Sequence, residues 1–345
     1  MRIAPVVVGL GCLAWPGCGG GGGASPTQPA AAAPTQRFSV TGSLTDRIDG
    51  SPISGSTVTF RGLSGPSSGV TATAQAAGGT YSLGELPAGT YDVAITGSSH
   101  VEHKNLAYRL SQARNDFTVL EWGSCAEGAC YDQQFHEYFQ FVARGKLYTP
   151  EGRINKWAAP PREIWVINEP HMRENGTGAL FPFLALSPGP FEEFMSILER
   201  ANNEVVPRMF CGRNGPLPII VHAPVQRAFE PGVITIRFSP DGSFAGTRSG
   251  TDGVATAAEI SYYAGPLGGS HGEARPADRS LREFDVAHEL FHVAFASHAS
   301  ESRQNGLMEG PASSMAMSGE ERLAACIVYH PDTHPGNTAP DTNPN

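Results

Sequence analysis

Residues 285–298 read DVAHELFHVAFASH and constrain this chain more than any other stretch. Val286, Ala287, Leu290, Phe291, Val293, Ala294 and Phe295 surround His288, Glu289 and His292. A helix that is apolar on nearly all sides packs inside a protein. His288 and His292 are four residues apart, which on a helix puts both imidazoles on one face, one turn apart. Two imidazoles and a carboxylate in an interior are costly unless something pairs with them. One divalent metal ion satisfies all three; a pair of ordinary core histidines is the alternative. His298, six residues after His292, is a further candidate donor.

The string H-E-x-x-H resembles the active helix of zinc hydrolases. That resemblance implies a Zn2+ cofactor held by three protein ligands, with a fourth position open to water. It implies Glu289 as the general base that takes the water's proton and passes it to the leaving amine. The implied reaction is peptide hydrolysis without a covalent intermediate. HELFHVAFASH is similar to the metzincin motif H-E-x-x-H-x-x-G-x-x-H at His288, Glu289, His292 and His298. Met308, in NGLMEG, matches the methionine turn of matrixin-like members, with Met315 as a second candidate. SGEERLAACIVYH (318–330) matches their last helix, and the resemblance spans about residues 146–337.

One position departs from that pattern. Phe295 stands where the family has glycine, the residue that most cheaply ends a helix in a left-handed turn. The helix must nevertheless break between His292 and His298, at Ala296 or Ser297, or carry strain. A second reading avoids the break: GLMEGPASSMA resembles the gluzincin segment that supplies a glutamate ligand, which makes Glu309 the alternative third ligand. Tyr262, Tyr263 and Tyr329 are candidate oxyanion donors or core aromatics. Asp285 is a candidate to orient a ligand, or an acid at the helix N-terminal end. His271, His330 and His334 lie among Gly and Pro and are expected in solvent.

The chain has 345 residues, room for two domains and a linker, and a net charge of −9. It has no basic cluster, so nucleic acid is not an expected partner. Met1–Cys18 read as an export signal: Arg2, then an apolar run too short to span a membrane. AWPGCGGGGG resembles a bacterial lipoprotein cleavage site, in which lipid on Cys18 anchors the chain to a membrane; Cys12 is a poorer site, and a plain secretory signal is the alternative. Either places the protein outside the cytoplasm, in the cell envelope or secreted. Residues 19–36 have linker composition. Disulfides are permitted there, and the simplest pairing of the remaining cysteines is Cys125–Cys130 with Cys211–Cys326.

From Phe38 the pattern becomes that of short half-buried strands: FSVTGSLTD, STVTFRG, GTYSLGEL, GTYDVAITG and NDFTVLEW. GGTYSLGELPAGTYDVAITG resembles the carboxypeptidase-regulatory-like, transthyretin-type sandwich, with Tyr81, Leu83, Tyr91 and Val93 facing its core. This module (37–121) carries no catalytic group and suits a spacer or a binder of glycan or protein. Residues 122–145 connect it to the second domain and include an amphipathic helix. Beyond that, REIWVIN, LPIIVHA, GVITIRF and AAEISYYA read as strands, and PFEEFMSILERANNEVVPRMF as a helix. The expected fold is therefore multidomain: an all-β transthyretin-like sandwich, then an α+β zincin-type metallopeptidase domain (146–337) with a mixed twisted sheet, an active-site helix and a C-terminal helix. Residues 338–345 read as a disordered tail. AAEISYYA is the expected sheet edge along which a peptide substrate would lie. The competing function is a surface-binding protein with an inactive domain of the same shape.

Overall fold

The computed structural model describes residues 35–145, 152–174, 180–212, 216–224, 230–240, 243–250, 252–264, 279–296, 315–339 and 341–344. Residues 1–34, with the expected export signal and most of the expected linker, fall outside them. So do His271, His298, Met308 and Glu309. Among the described residues no helix is long and apolar enough to cross a membrane.

Residues 36–345 form one compact unit of strand-rich mixed α/β architecture with two hydrophobic cores. Its first part holds strands β1 (Arg37–Asp46), β2 (Thr57–Ser64), β3 (Thr71–Gln75), β4 (Thr80–Pro87), β5 (Gly89–Thr96), β6 (His103–Leu110) and β7 (Phe117–Val119). A small hairpin, β8 (Cys125–Ala126) and β9 (Ala129–Cys130), leads into helix α1 (Gln133–Val142). Then come β10 (Lys156–Trp157), β11 (Glu163–Val166), β12 (His171–Glu174), β13 (Leu180–Phe183), helix α2 (Pro188–Glu204) and the short helix α3 (Val206–Met209). Next are β14 (Ile219–His222), β15 (Val233–Ser239), β16 (Phe244–Ser249) and β17 (Val254–Tyr263). Helices α4 (Arg279–Ala294) and α5 (Gly319–Tyr329) and strand β18 (Thr342–Asn343) end the chain.

Alternation of side chains builds the first core. Val40, Leu44, Val58, Phe60, Tyr81, Tyr91, Val93 and Ile95 point inward and are almost fully buried. They lie between a sheet ordered β4-β1-β7 and one ordered β18-β6-β5-β2-β3. Leu83 packs at the margin. Strands β3 and β6 carry too few apolar residues to announce themselves in the sequence; they are recruited by pairing with β2 and β5.

The second core lies on one face of a six-stranded mixed sheet. β14, β11, β15 and β17 run parallel in that order, and among the described residues β16 pairs antiparallel with β17 alone. Ile164, Val166, Ile234, Ile236, Phe238, Ile260 and Tyr262 face α2, α4 and α5. On the opposite face Glu259 is held between Arg237 and Arg173, the latter on the β12–β13 hairpin. AAEISYYA is thus not the sheet edge: β17 has neighbours in β15, β10 and β16. The edge is β16, whose FAGTRS sequence is alternately exposed and half-buried and lacks the apolar run that marks a strand.

The C-terminal segment is the main correction to the sequence reading. Residues from 338 onward were expected as a disordered tail, but β18 pairs parallel with β6. Asn337, Asp341 and Asn343 are each at most 1% exposed. Asp341 meets Arg47 at 2.9 Å and His103 at 2.8 Å, and its other oxygen accepts from Asn337 at 3.0 Å. Composition suggests disorder here, yet the polar side chains find buried partners that only the folded sandwich supplies. The strap crosses β17 at Gly253 (φ 77°), where a Cβ would come within 2.3 Å of the Gly336 nitrogen. His330 and His334, expected in solvent, are half-buried beside it. Both disulfides of the simplest pairing form, and Cys211–Cys326 ties the end of α3 to α5.

Two stability predictions follow from these joints. Burial alone would raise the Asp341 carboxyl, but Arg47 and His103 outweigh it and hold it well below its ordinary 3.8. A depressed carboxyl stabilises the fold above its unfolded value and loses that contribution as pH falls through the folded one. Asp341→Asn should therefore cost about 3–5 kcal/mol at pH 7. That gap from wild type should narrow only below about pH 4, measured by urea unfolding at stepped pH. Cys211→Ser with Cys326→Ser should cost about 2–5 kcal/mol in the same assay.

Candidate metal centre

Helix α4 carries the site. Its apolar residues bury one side in the second core: Ala287, Phe291 and Val293 are at most 1% exposed. Three side chains fix its backbone from outside. Tyr262 Oη donates to Val286 O at 3.0 Å, Trp157 Nε1 to Val293 O at 2.7 Å, and Tyr329 Oη to Ala294 O at 2.6 Å. Tyr262 and Tyr329 are thus core aromatics that hold the helix, not oxyanion donors. Asp285 sits in the second turn of α4, too far along to act at its N-terminal end.

His288 and His292 are half-buried and converge. Their rings stand at 87° with centroids 4.6 Å apart, and the two Nε2 atoms are 3.1 Å apart. Two imidazole nitrogens on one tetrahedral zinc stand about 3.3 Å apart, so the pair already has the separation a shared ion requires. The ring of His292 is set by its far nitrogen, with Nδ1 3.0 Å from Ala296 O. A carbonyl only accepts, so Nδ1 carries the proton and Nε2 keeps its lone pair for a metal. Phe284 packs against the His288 ring at 5.3 Å.

Glu289 lies beside this pair, 7% exposed. Its Oε2 has no hydrogen-bond partner among the described residues. Burial, reinforced by the charge of Asp285, pushes its carboxyl up to about 8. An unpaired buried carboxyl is expensive in a core and useful in a catalytic site. Glu289 and His292 open into a groove of about 350 Å3, whose far wall is β16, through Phe244, Gly246 and Thr247, with Asn155 at its side. The sequence reading missed both β16 and Asn155, neither of which carries a local motif.

The helix ends earlier than the expected break at Ala296 or Ser297. α4 stops at Ala294, before residue 298. The described non-glycine residues with positive φ are Ala107, Glu127 and Cys211, so the helix ends at Phe295 without a left-handed residue. His298, Glu309 and Met308 lie outside the described residues, and Met315 is buried in the second core. Among the described residues no group of three or more His, Cys, Asp or Glu side chains is placed to hold a metal. The separation of the two imidazole nitrogens fits a pair of zinc ligands.

A second concavity, about 700 Å3, lies on the sandwich, lined by hydroxyl and amide groups including Thr41, Ser43, Thr73, Gln75 and Ser82.

No family model matches the chain, and no curated protein matches it. Among solved structures, a chain from a type II cohesin–X-dockerin complex of Acetivibrio cellulolyticus, described as a C-terminal interface mutant, is similar at 19% identity. The match covers 31% of this chain and 76% of that one, with a TM-score of 0.19. A score that low carries no argument about fold or partner.

Zinc added to chelator-treated protein at about 100 times its Kd should stabilise the fold by about 2.7 kcal/mol. A rise in Tm reads this out, and it should disappear in His288→Ala and in His292→Ala.

Proposed function

We propose that this protein is a zinc-dependent endopeptidase of the cell exterior, anchored by lipid at Cys18 or secreted, with a metzincin-like catalytic domain. One observation carries the reading: two imidazole nitrogens stand 3.1 Å apart, and the buried Glu289 between them, with one oxygen unpartnered among the described residues, lines a groove together with His292. Two disulfides are consistent with an oxidising compartment.

Zinc in such a site acts as a Lewis acid, polarising a substrate carbonyl and acidifying water. The residues of this chain do the rest. His288 and His292 hold the ion through Nε2, with His298 as third ligand and Glu309 as its alternative. Glu289 takes a proton from water and returns it to the amine nitrogen as the peptide bond breaks. Its apolar surroundings make the ionised form a stronger base than an exposed glutamate. Strand β16, which pairs among the described residues with β17 alone, offers its other edge to an extended peptide beside the groove. An extended protein or peptide segment is therefore the substrate class. The hydroxyl-lined groove of the sandwich is a candidate surface for a glycan or protein ligand.

Hydrolysis of a broad peptide library by the zinc-loaded protein tests this. Glu289→Gln should lower the rate by about 10²–10⁴-fold while keeping zinc content and Tm. A variant that still hydrolyses at the wild-type rate sinks the mechanism. Full zinc occupancy with no hydrolysis in wild type favours an inactive binding protein. Zinc content of His298→Ala against Glu309→Ala identifies the third ligand.

A further inference from the structure

We infer that Trp157 and Tyr329 are positioning residues for the metal centre: together they cap the last turn of α4 and so set the orientation of the His292 ring. The inference rests on the zinc reading above and assigns a task within it that no motif residue performs.

A helix ends with carbonyls that have no intrahelical donor. Glycine usually resolves this by a left-handed turn whose backbone N–H groups fold back. This chain has Phe295 at that point. The backbone bonds that close the last turn are long: Phe295 N to Phe291 O is 3.4 Å and Ala296 N to Phe291 O is 3.3 Å. The side-chain bonds to the same turn are shorter, 2.7 Å from Trp157 to Val293 O and 2.6 Å from Tyr329 to Ala294 O. Hydrogen bonds weaken as they lengthen, so beyond the helix's own ladder the two side chains hold its end more firmly than these backbone bonds do. Both carbonyls are also the ones that a continuing helix would need for its next N–H groups. Trp157 and Tyr329 satisfy these carbonyls where the helix ends without glycine.

The clamp reaches the metal ligand through two residues of backbone. Ala296 O, just past the clamped turn, is the partner of His292 Nδ1. If the turn slides, the imidazole loses the acceptor that selects its tautomer and aims Nε2. Both clamping side chains are themselves fixed. The Tyr329 ring packs against Phe210 at 4.8 Å and Phe295 at 5.9 Å, with Lys156 Nζ 5.9 Å above its face. Trp157 is 3% exposed, on a strand paired to the start of β17.

The test uses the full chain with Trp157→Phe, Tyr329→Phe and the double variant, each of which removes a donor and keeps an aromatic ring. Ile327→Val, on the same helix as Tyr329, is the control for loss of packing alone. Two quantities are read: zinc affinity by competition with a chromogenic chelator, and the His292 Nδ1–H signal in the metal-free protein by 15N-edited NMR. Each single variant should weaken zinc binding about tenfold, and the double variant about 100-fold. Each should also speed exchange of the His292 proton. Ile327→Val should lower Tm and move neither quantity. Zinc affinity within twofold of wild type and an unchanged His292 signal in both single variants would overturn the inference. If wild type itself binds no zinc, the zinc reading fails, and the metal-free His292 signal still decides whether the clamp orients the ring. The single variants suffice if the double variant does not fold.

Discussion

Two helices end inside this protein, and the carbonyls they leave open cannot stay unpaired where water is excluded. One two-residue strand answers for both. Lys156 reaches the end of α5, donating to Val328 O at 2.9 Å and to Thr333 O, while Trp157 donates to the end of α4. Tyr329, the last residue of α5, then closes on Ala294 O. The ends of α4 and α5 are thus mutually dependent. Cys211–Cys326 and the strap after α5 hold the assembly from the other side.

This arrangement accounts for the polarity of a buried region with little apolar character. Lys156, Arg144, Arg47, Asp341 and Asn337 are all buried, and each meets a carbonyl, a carboxylate or an amide from a distant part of the chain. Such contacts contribute modest net stability but cost several kcal/mol when one partner is removed. They specify where the sandwich, the strap and the helices meet. Glu289 has an oxygen without a described partner and lines a groove beside two converging imidazoles.

Much of the fold was legible locally. α1, α2, α4 and α5 carry helical stripes, and β1, β2, β4, β5, β11, β14, β15 and β17 carry apolar runs or alternation. The two-histidine face of α4 followed from a spacing of four, and Glu289 from its place between them. β3, β6, β12, β13, β16 and β18 were not legible, because their residues are polar or mixed and become strands only by pairing with a neighbour. Tyr329 and Trp157 read only as core aromatics, since their role lies in where one polar atom points.

By itself, then, the sequence determined the elements whose hydrophobic period matches their geometry, and the residue types that converge on one face of α4. Those depend on contacts a few residues apart, which the spacing of side chains dictates. The tertiary structure decided which strand forms the edge beside the groove, how α4 ends without glycine, and that the last residues are a strap. Each of these is a matter of satisfying backbone and polar groups with partners far away in the chain, and no local pattern encodes such a partner.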